Sequence, residues 1–395
     1  MLTAGIISEY NPFHLGHEYL IQRLRAYGAT HIVAVMSGNF VQRGEAAILS
    51  KYARVRQALM SGVDLVIELP LPWAAAGAER FALGGVSLLD AIGVDIIGFG
   101  SECGSIDQLQ EASHALFSPR LRETMLQTLK AGKTFAAARQ SAVEQLYGKA
   151  TADLLRSPNN ILGIEYLKAI QTIGSNIKPL TIRRYGAAHD AEDETIPYAS
   201  SKQIRALLRK GRDCSFMMPQ TAFTVVQQEI QEGKAPASLS FAERAVLARL
   251  RCMTRDDFSI LPDISEGLEN RIYNAVRQAT DLKTLYFLAK TKRYPLARIR
   301  RVVLSAFLGI KNQDTVGLPP YIRILGIGSH GAEILQKTST MAKLPIISRV
   351  ADFSALDQRG RNIADLESRA MDLYALCMPK IAPCGLDRNK KLITF

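Results

Sequence analysis

Two histidines set three residues apart form the first group in this chain that could do chemistry: His14-Leu15-Gly16-His17. The tetrapeptide follows an apolar run, Leu2–Ser8, and precedes a helical pattern over His17–Tyr27, so it lies where a strand turns into a helix. A helix N-terminus offers free N–H groups and a partial positive charge, which suits phosphate. Gly16 has no Cβ and lets a ligand approach the backbone. Two imidazoles across such a start can both donate to phosphate oxygens as negative charge shifts during attack at an α-phosphorus. Taken alone, the pair also reads as helix capping.

A second group, Ser200-Ser201-Lys202-Gln203-Ile204-Arg205, opens a helical pattern over Lys202–Arg209. Its hydroxyls and N–H groups can bind phosphates. Arg205, one turn in, can neutralise β- and γ-phosphates and the departing pyrophosphate. By itself, a Ser-Ser pair before a helix is a plain N-cap. Capping is also the plain reading of Asn159-Asn160, and turn geometry that of Gly38 and Gly100. Arg43, Lys51 and Arg54 follow the second strand, where they can reach phosphate or RNA or form a solvated face. Asp64 and Glu68 flank a buried strand.

Two patterns lead away from other chemistries. Gly326-Ile327-Gly328-Ser329-His330-Gly331, with Asp352 beyond it, imitates a dinucleotide fingerprint. It leaves no room for a second mononucleotide half, so packing turns are expected. The five cysteines, Cys103, Cys214, Cys252, Cys377 and Cys384, are scattered without a C-x-x-C pair. Neither a metal site nor a disulfide framework is expected, and reduced thiols fit a cytoplasmic protein. No stretch approaches the roughly 18 apolar residues of a membrane span, and the first residues lack the basic n-region of a signal peptide.

The elements that must position these groups alternate. Apolar runs at Leu2–Ser8, His31–Met36, Asp64–Leu69 and Asp95–Phe99 enclose helical patterns at His17–Tyr27, Lys51–Met60 and Glu79–Ile92. That alternation predicts a parallel sheet of right-handed βαβ units. Ligands bind such sheets at the carboxyl ends of the strands, here the loops after strands one, two and four. A further strand fits Pro179–Tyr185. Gly211 and Pro219 then mark a boundary, followed by helical patterns at Phe241–Leu250, Glu269–Ala279, Leu282–Ala289 and Ala297–Phe307 and a small βαβ-like piece at Tyr321–Asp352. The expected organisation is an α/β, Rossmann-like domain over residues 1–215 and a mainly helical, basic region over 216–395.

The 395 residues carry a net charge of +12, with an isoelectric point near 9.5. A polyanion is the natural partner, and nucleic acid the commonest. The charge finds a focus in Lys290, Lys292, Arg293, Arg298, Arg300 and Arg301, with Tyr294 among them. Lysine and arginine grip phosphates, and an aromatic ring can stack on an unpaired base. Lys290, Lys292, Arg293, Arg298 and Arg301 are therefore the expected RNA contacts.

The histidine motif after a first strand resembles the nucleotidyltransferase superfamily with its H-x-G-H signature. Ser200–Arg205 is similar to that superfamily's second signature, S-S-x-x-I-R. The resemblance narrows with Ser37–Glu45, Lys51 and Arg54, Gly62–Pro70, Phe99–Glu102, Ser157–Tyr166, and Thr181–Arg184 with His189-Asp190. In this order and spacing they look like the bacterial tRNA(Met) cytidine acetate ligase family, over essentially the whole chain. That resemblance implies a nucleotidyltransferase fold. It also implies that ATP activates acetate as acetyl-adenylate, and that the acetyl group passes to N4 of the wobble cytidine of elongator tRNA(Met).

Carried over, ATP contacts fall on Ile7, Ser8, Glu9, Tyr10, Asn11, Pro12, Phe13, His14, Leu15, Gly16, His17, Glu18, Tyr19 and Leu20. They continue on Gly100, Asn159 and Asn160 (Asn160 favoured), Arg183 and Arg184 (Arg184 favoured), Ser200 and Ser201. His14, His17 and Arg205 are the expected catalytic groups, and Mg²⁺ would normally accompany ATP. No Ser-His-Asp or Cys-His arrangement has supporting motifs, which favours direct transfer from the adenylate. Two rivals share parts of this pattern: a small-molecule adenylyl- or cytidylyltransferase, and a non-catalytic RNA-binding protein. The choice of acetate comes from the resemblance alone.

Overall fold

The computed structural model describes residues 1–130, 134–184, 199–339 and 343–395. His189 and Asp190 lie outside the described residues. Ten strands occur among them: β1 (Thr3–Ser8), β2 (His31–Ser37), β3 (Phe40–Val41), β4 (Glu45–Ala46), β5 (Leu65–Leu69), β6 (Ile96–Ser101), β7 (Lys178–Arg183), β8 (Ile322–Ile327), β9 (Ile346–Ile347) and β10 (Ile393–Thr394). The main sheet runs β10-β8-β5-β2-β1-β6-β7, with β9 paired to β8. β3 and β4 form a separate antiparallel hairpin.

The five strands β5-β2-β1-β6-β7 are parallel, as the alternation predicts. β2 and β5 are buried along their whole length, the state of strands covered on both faces. The two-residue period sorts side chains to either side. Ile7, Val33, Val35, Leu65 and Ile67 join one core, with Phe81, Val86 and Leu89 of helix Ala78–Ile92 and Ile164 and Leu167 of helix Pro158–Ile173. Ala4, Ile6, Ile32, Ala34 and Met36 join the other, with Leu24 of helix Leu15–Ala26 and Ile204 and Leu207 of helix Ser201–Arg209. Gly98 permits the second packing: a Cβ there would lie 2.5 Å from a Leu24 methyl.

The sheet crosses the boundary expected at 215. β8 lies antiparallel to β5, and β9 and β10 lie parallel to β8. Tyr321, Ile322, Ile324 and Ile334 pack in the first core. The helices between residues 220 and 308 are thus an insertion between β7 and β8. Those after residue 242 build a third core, in which Val246, Leu250, Ile272, Val276, Leu285, Ile299 and Val303 meet Phe40 and Ala46 of the hairpin, while helix Gln220–Gln231 packs in the second. Pairing between strands so distant in sequence leaves no local signal, which is why the periodic pattern showed the β8 unit but not its place. Its glycines are packing turns, as expected. Gly328 N–H donates to Asp64 C=O at 2.7 Å, and a Cβ on Gly331 would strike the same carbonyl.

Candidate active site

The loops after β1, β2 and β6 converge on one cleft at the carboxyl end of the sheet. Its walls include Ile7, Ser8, Glu9, Tyr10, Asn11, His14, His17, Leu20, Gly100, Asn159, Arg184, Ser200, Ser201 and Arg205. Gly16, Tyr19 and Arg183 line an adjoining recess shared with His14 and His17. Pro12, Phe13, Leu15, Glu18 and Asn160 line neither. Phe13 is instead fully buried in the second core.

The two imidazoles are fixed by the backbone they follow. His14 is the N-cap of helix Leu15–Ala26, and its Nδ1 accepts from Gly16 N–H at 3.0 Å. His17 Nδ1 accepts from His14 N–H at 3.3 Å, closing a capping box. In the neutral ring each proton therefore sits on Nε2. His14 Nε2–H donates to Ser201 Oγ at 3.0 Å, which ties the first motif to the second. The rings stack at 3.8 Å, and Tyr10 meets His17 edge-on at 4.9 Å. Burial, then Arg184 and Arg205, push the His14 pKa down to about 3. Burial, His14 and Arg184 hold His17 well below the usual imidazole value. Both are neutral N–H donors near pH 7 rather than cations.

Two guanidinium groups face them. Arg205 Nη1 donates to Asn11 C=O at 2.7 Å, and burial lowers its pKa against the opposing pull of Glu9. Arg184 lies against Gly100, where a Cβ would come within 3.0 Å of its Cγ. Burial lowers its pKa while Glu102 opposes. Arginine stays charged through such shifts. Of the doublet, Arg184 lines the cleft, and Arg183 packs its stem on Gly104. Ser200 is a capping-box N-cap, its N–H donating to Gln203 Oε1 at 2.8 Å and its Oγ accepting from Gln203 N–H at 3.3 Å.

The fold gives the two asparagines of the doublet different surroundings. Asn159 lines the cleft. Asn160 is buried, and its Oδ1 accepts from Glu102 N–H and Cys103 N–H at 2.9 and 3.1 Å. Asn160 thus ties the end of β6 to helix Pro158–Ile173. Lys51 and Arg54 are not solvated either, for both are fully buried. Lys51 pairs with Glu68 and Asp387, each at 2.7 Å, and Arg54 donates to the carbonyls of Glu9, Ser37, Gly38 and Leu49. Asp64 takes Arg25 and Ile32 N–H, each at 2.7 Å.

Sequence reasoning missed the hairpin wall, Gln42 and Glu45, and the apolar floor, Phe81, Phe99, Leu162 and Tyr166. Apolar residues in a pocket look like core from sequence. Tyr10 carries a signal visible only in three dimensions. Its backbone is left-handed (φ +44°), and among the described residues its buried hydroxyl has no partner. Such a backbone in a bulky residue marks a constrained, often functional, position.

Glu9 and Glu45 are the carboxylates that line the cleft among the described residues. Glu9 accepts from Gln42 N–H at 3.0 Å, and burial raises its pKa. Glu45 is engaged by Arg300 at 2.5 Å. This donor set does not fit a protein-held Mg²⁺, and the cations that line the same cleft include Arg184 and Arg205.

Three of the cations expected to contact RNA are engaged within the fold. Arg301 pairs with Asp263 at 2.5 Å, and Arg293 with Glu266 at 2.8 Å. Arg298 donates to Asp263 C=O and Ser265 Oγ at 2.8 and 2.6 Å. Tyr294 is buried, its hydroxyl donating to Glu266 C=O. Lys290 and Lys292 are exposed. These arginines hold the loop around Asp263, and Tyr294 offers no open ring.

A parallel sheet ending in paired neutral imidazoles and facing guanidinium groups is the site of a nucleotidyltransferase. The chain belongs to the HIGH nucleotidyl transferase family, whose sequence model matches residues 1–388. Within it the chain is a member of the tRNA(Met) cytidine acetate ligases. It is 38% identical over 396 residues to the tRNA(Met) cytidine acetate ligase of Caldanaerobacter subterraneus subsp. tengcongensis, covering 98% of each chain. It is 40% identical over 403 residues to that of Syntrophomonas wolfei, covering 97% of this chain and 96% of that one. A crystal structure of Thermotoga maritima TmcAL bound with alpha-thio ATP superposes with a TM-score of 0.93 at 33% identity, covering all of both chains.

Proposed function

We propose that this protein is an ATP-dependent ligase that joins acetate to N4 of the wobble cytidine of elongator tRNA(Met). An acetate oxygen attacks the α-phosphorus, the bond to pyrophosphate breaks, and acetyl-adenylate forms. The cytidine amine then attacks the acetyl carbon, and AMP and a proton leave. The observation that carries this reading is the convergence of the His14 and His17 Nε2–H groups with Arg184 and Arg205 at the end of β1. Neutral donors and fixed cations suit a transition state in which negative charge spreads over phosphate oxygens. They need no protein nucleophile, since the mixed anhydride already carries a good leaving group.

The relatives' names and the ATP-analogue complex of the Thermotoga protein support ATP, acetate and tRNA as substrates. No helix among the described residues is long and apolar enough to cross a membrane. A tRNA substrate puts the proposed reaction in the cytoplasm. The test is acetate-dependent ATP–pyrophosphate exchange together with transfer of label from acetate to tRNA. Exchange driven instead by a sugar phosphate or a nucleotide, with unlabelled tRNA, would show a small-molecule nucleotidyltransferase.

A further inference from the structure

A second cavity of about 490 Å³ opens on the other side of the β3–β4 hairpin. Glu45 lines both cavities, and the hairpin is the wall between them. The wall is fixed. Gly44 has φ +72°, and a Cβ there would lie 2.5 Å from the Arg300 backbone. Helix Ser201–Arg209 spans the same gap. Arg205 faces the ATP cleft, and Arg209, one turn further on, lines the second cavity. Positive charge thus runs from the phosphate site into the groove.

The far side of the groove is helix Leu282–Ala289. Lys283, Phe287 and Lys290 follow one another at four- and three-residue steps, which puts them on one face. All three are exposed, and Phe287, at 79%, is the most exposed large hydrophobic side chain among the described residues. Arg293, Arg300 and Arg301 are paired with carboxylates, whereas no ion pair among the described residues holds Lys283 or Lys290. The acids of the groove are already engaged: Glu45 by Arg300, and Glu243 by Leu282 N–H at 2.9 Å.

We infer that this groove holds the single-stranded loop of the RNA substrate. An unpaired base next to the target cytidine stacks on Phe287, and Lys283, Lys290 and Arg209 hold its phosphates. An open aromatic ring flanked by cations is the arrangement by which proteins bind unpaired nucleotides. The shared wall lets a neighbouring base reach over Glu45 into the ATP cleft. The inference rests on RNA being the substrate, as proposed above, and moves the expected contact surface from Arg298 and Arg301 to this groove.

The probe is a synthetic hairpin RNA whose loop carries the cytidine, labelled for fluorescence anisotropy and titrated with the full chain. Phe287→Ala should weaken binding about tenfold, and Phe287→Trp should restore it. Replacing Lys283 and Lys290 by glutamine should flatten the slope of log affinity against log salt by about 1.4, two single-strand phosphate contacts. Unchanged affinity in Phe287→Ala overturns the groove assignment. So does a wild-type dimer that falls to monomers in Phe287→Ala by sedimentation, because the face would then bind a second copy. A wild type that transfers no acetyl to tRNA but binds the hairpin through Phe287 keeps the groove and removes the ligase reading. A wild type that does not bind the hairpin removes the groove.

Discussion

Two buried clusters of charged and polar groups are built on opposite plans. In one, Lys51 and Arg323 alternate with Glu68 and Asp387. Four ion pairs of 2.7 to 3.0 Å link them, and every side chain is at most 8% exposed. Tyr52 adds a hydrogen bond to Asp387 at 2.8 Å. Every charge has a partner, and the partners come from helix Lys51–Met60, β5, β8 and the helix at Leu386–Asn389. In the other, at the carboxyl end of the same sheet, His14, His17, Arg184 and Arg205 gather donors that press on one another electrostatically. A balanced buried cluster spends its electrostatics on holding elements together. An unbalanced one keeps its donors for a ligand that brings the opposite charge.

That contrast breaks first under deletion of a charge from the balanced cluster. Asp387→Ala leaves Lys51 and Arg323 each short of a carboxylate and should cost about 3–5 kcal/mol. Urea unfolding at pH 7 measures it. A loss below about 1 kcal/mol would mean that the quartet does not carry the fold as drawn. The cleft should respond the other way. His17→Ala removes one N–H donor from the cleft and should lower acetate-dependent exchange by about 10²–10³-fold. Its stability should fall by only about 1 kcal/mol, the scale of a helix cap. An exchange rate within threefold of wild type, about 0.7 kcal/mol, would deny His17 a part in the chemistry. Arg184→Ala should raise the KM for ATP about tenfold, with stability within about 0.5 kcal/mol of wild type or above it. A large loss of stability there would erase the difference between the two clusters.

Legibility in the sequence followed the reach of each interaction. The histidine motif and Ser200–Arg205 are local: strand, turn and helix start lie within a few residues, so their geometry could be anticipated. The same holds for β1, β2, β5 and β6, and for helices Lys51–Met60 and Leu282–Ala289, whose bounds the periodic pattern matched. Lys51 shows the opposite. Its charge suggested a phosphate or solvent contact, because nothing nearby announces Asp387 or Arg323. Tyr294 looked like a stacking ring until its hydroxyl met Glu266 C=O. The family resemblance favours Asn160 as an ATP contact, while the helix start alone suggests a cap; that its side chain ties down the loop at the end of β6 is visible only in the fold.

The titration of the two clusters separates them further. His14, with a pKa near 3, is neutral in the folded chain where an unfolded imidazole, near 6.5, takes a proton. The unfolded chain then binds more protons, so this group's cost to stability is absent above about pH 6.5 and grows as the pH falls through that window. Activity in the free enzyme should accordingly show no acidic limb near pH 6.5 from His14. A limb there that Lys or Glu variants elsewhere leave in place, with a proton gained on His14 Nδ1 by nitrogen NMR, would mean the imidazole is a cation in the working enzyme.

The smallest expected effect lies beside the balanced cluster, at Glu367. Burial, then the nearby Glu68, raises its pKa well above the usual carboxylate value, and its carboxyl accepts from Leu71 N–H. The folded chain therefore keeps a proton that the unfolded chain releases near pH 4.3. Its contribution to stability is full below about pH 4.3 and is lost as the pH rises toward the folded value. Glu367→Gln keeps the shape and removes the titration. The variant's urea midpoint should then fall less than the wild type's between about pH 5 and pH 8. Equal falls in the two proteins would place a charged carboxylate at Glu367, and with it a fifth charge in a cluster that balances with four.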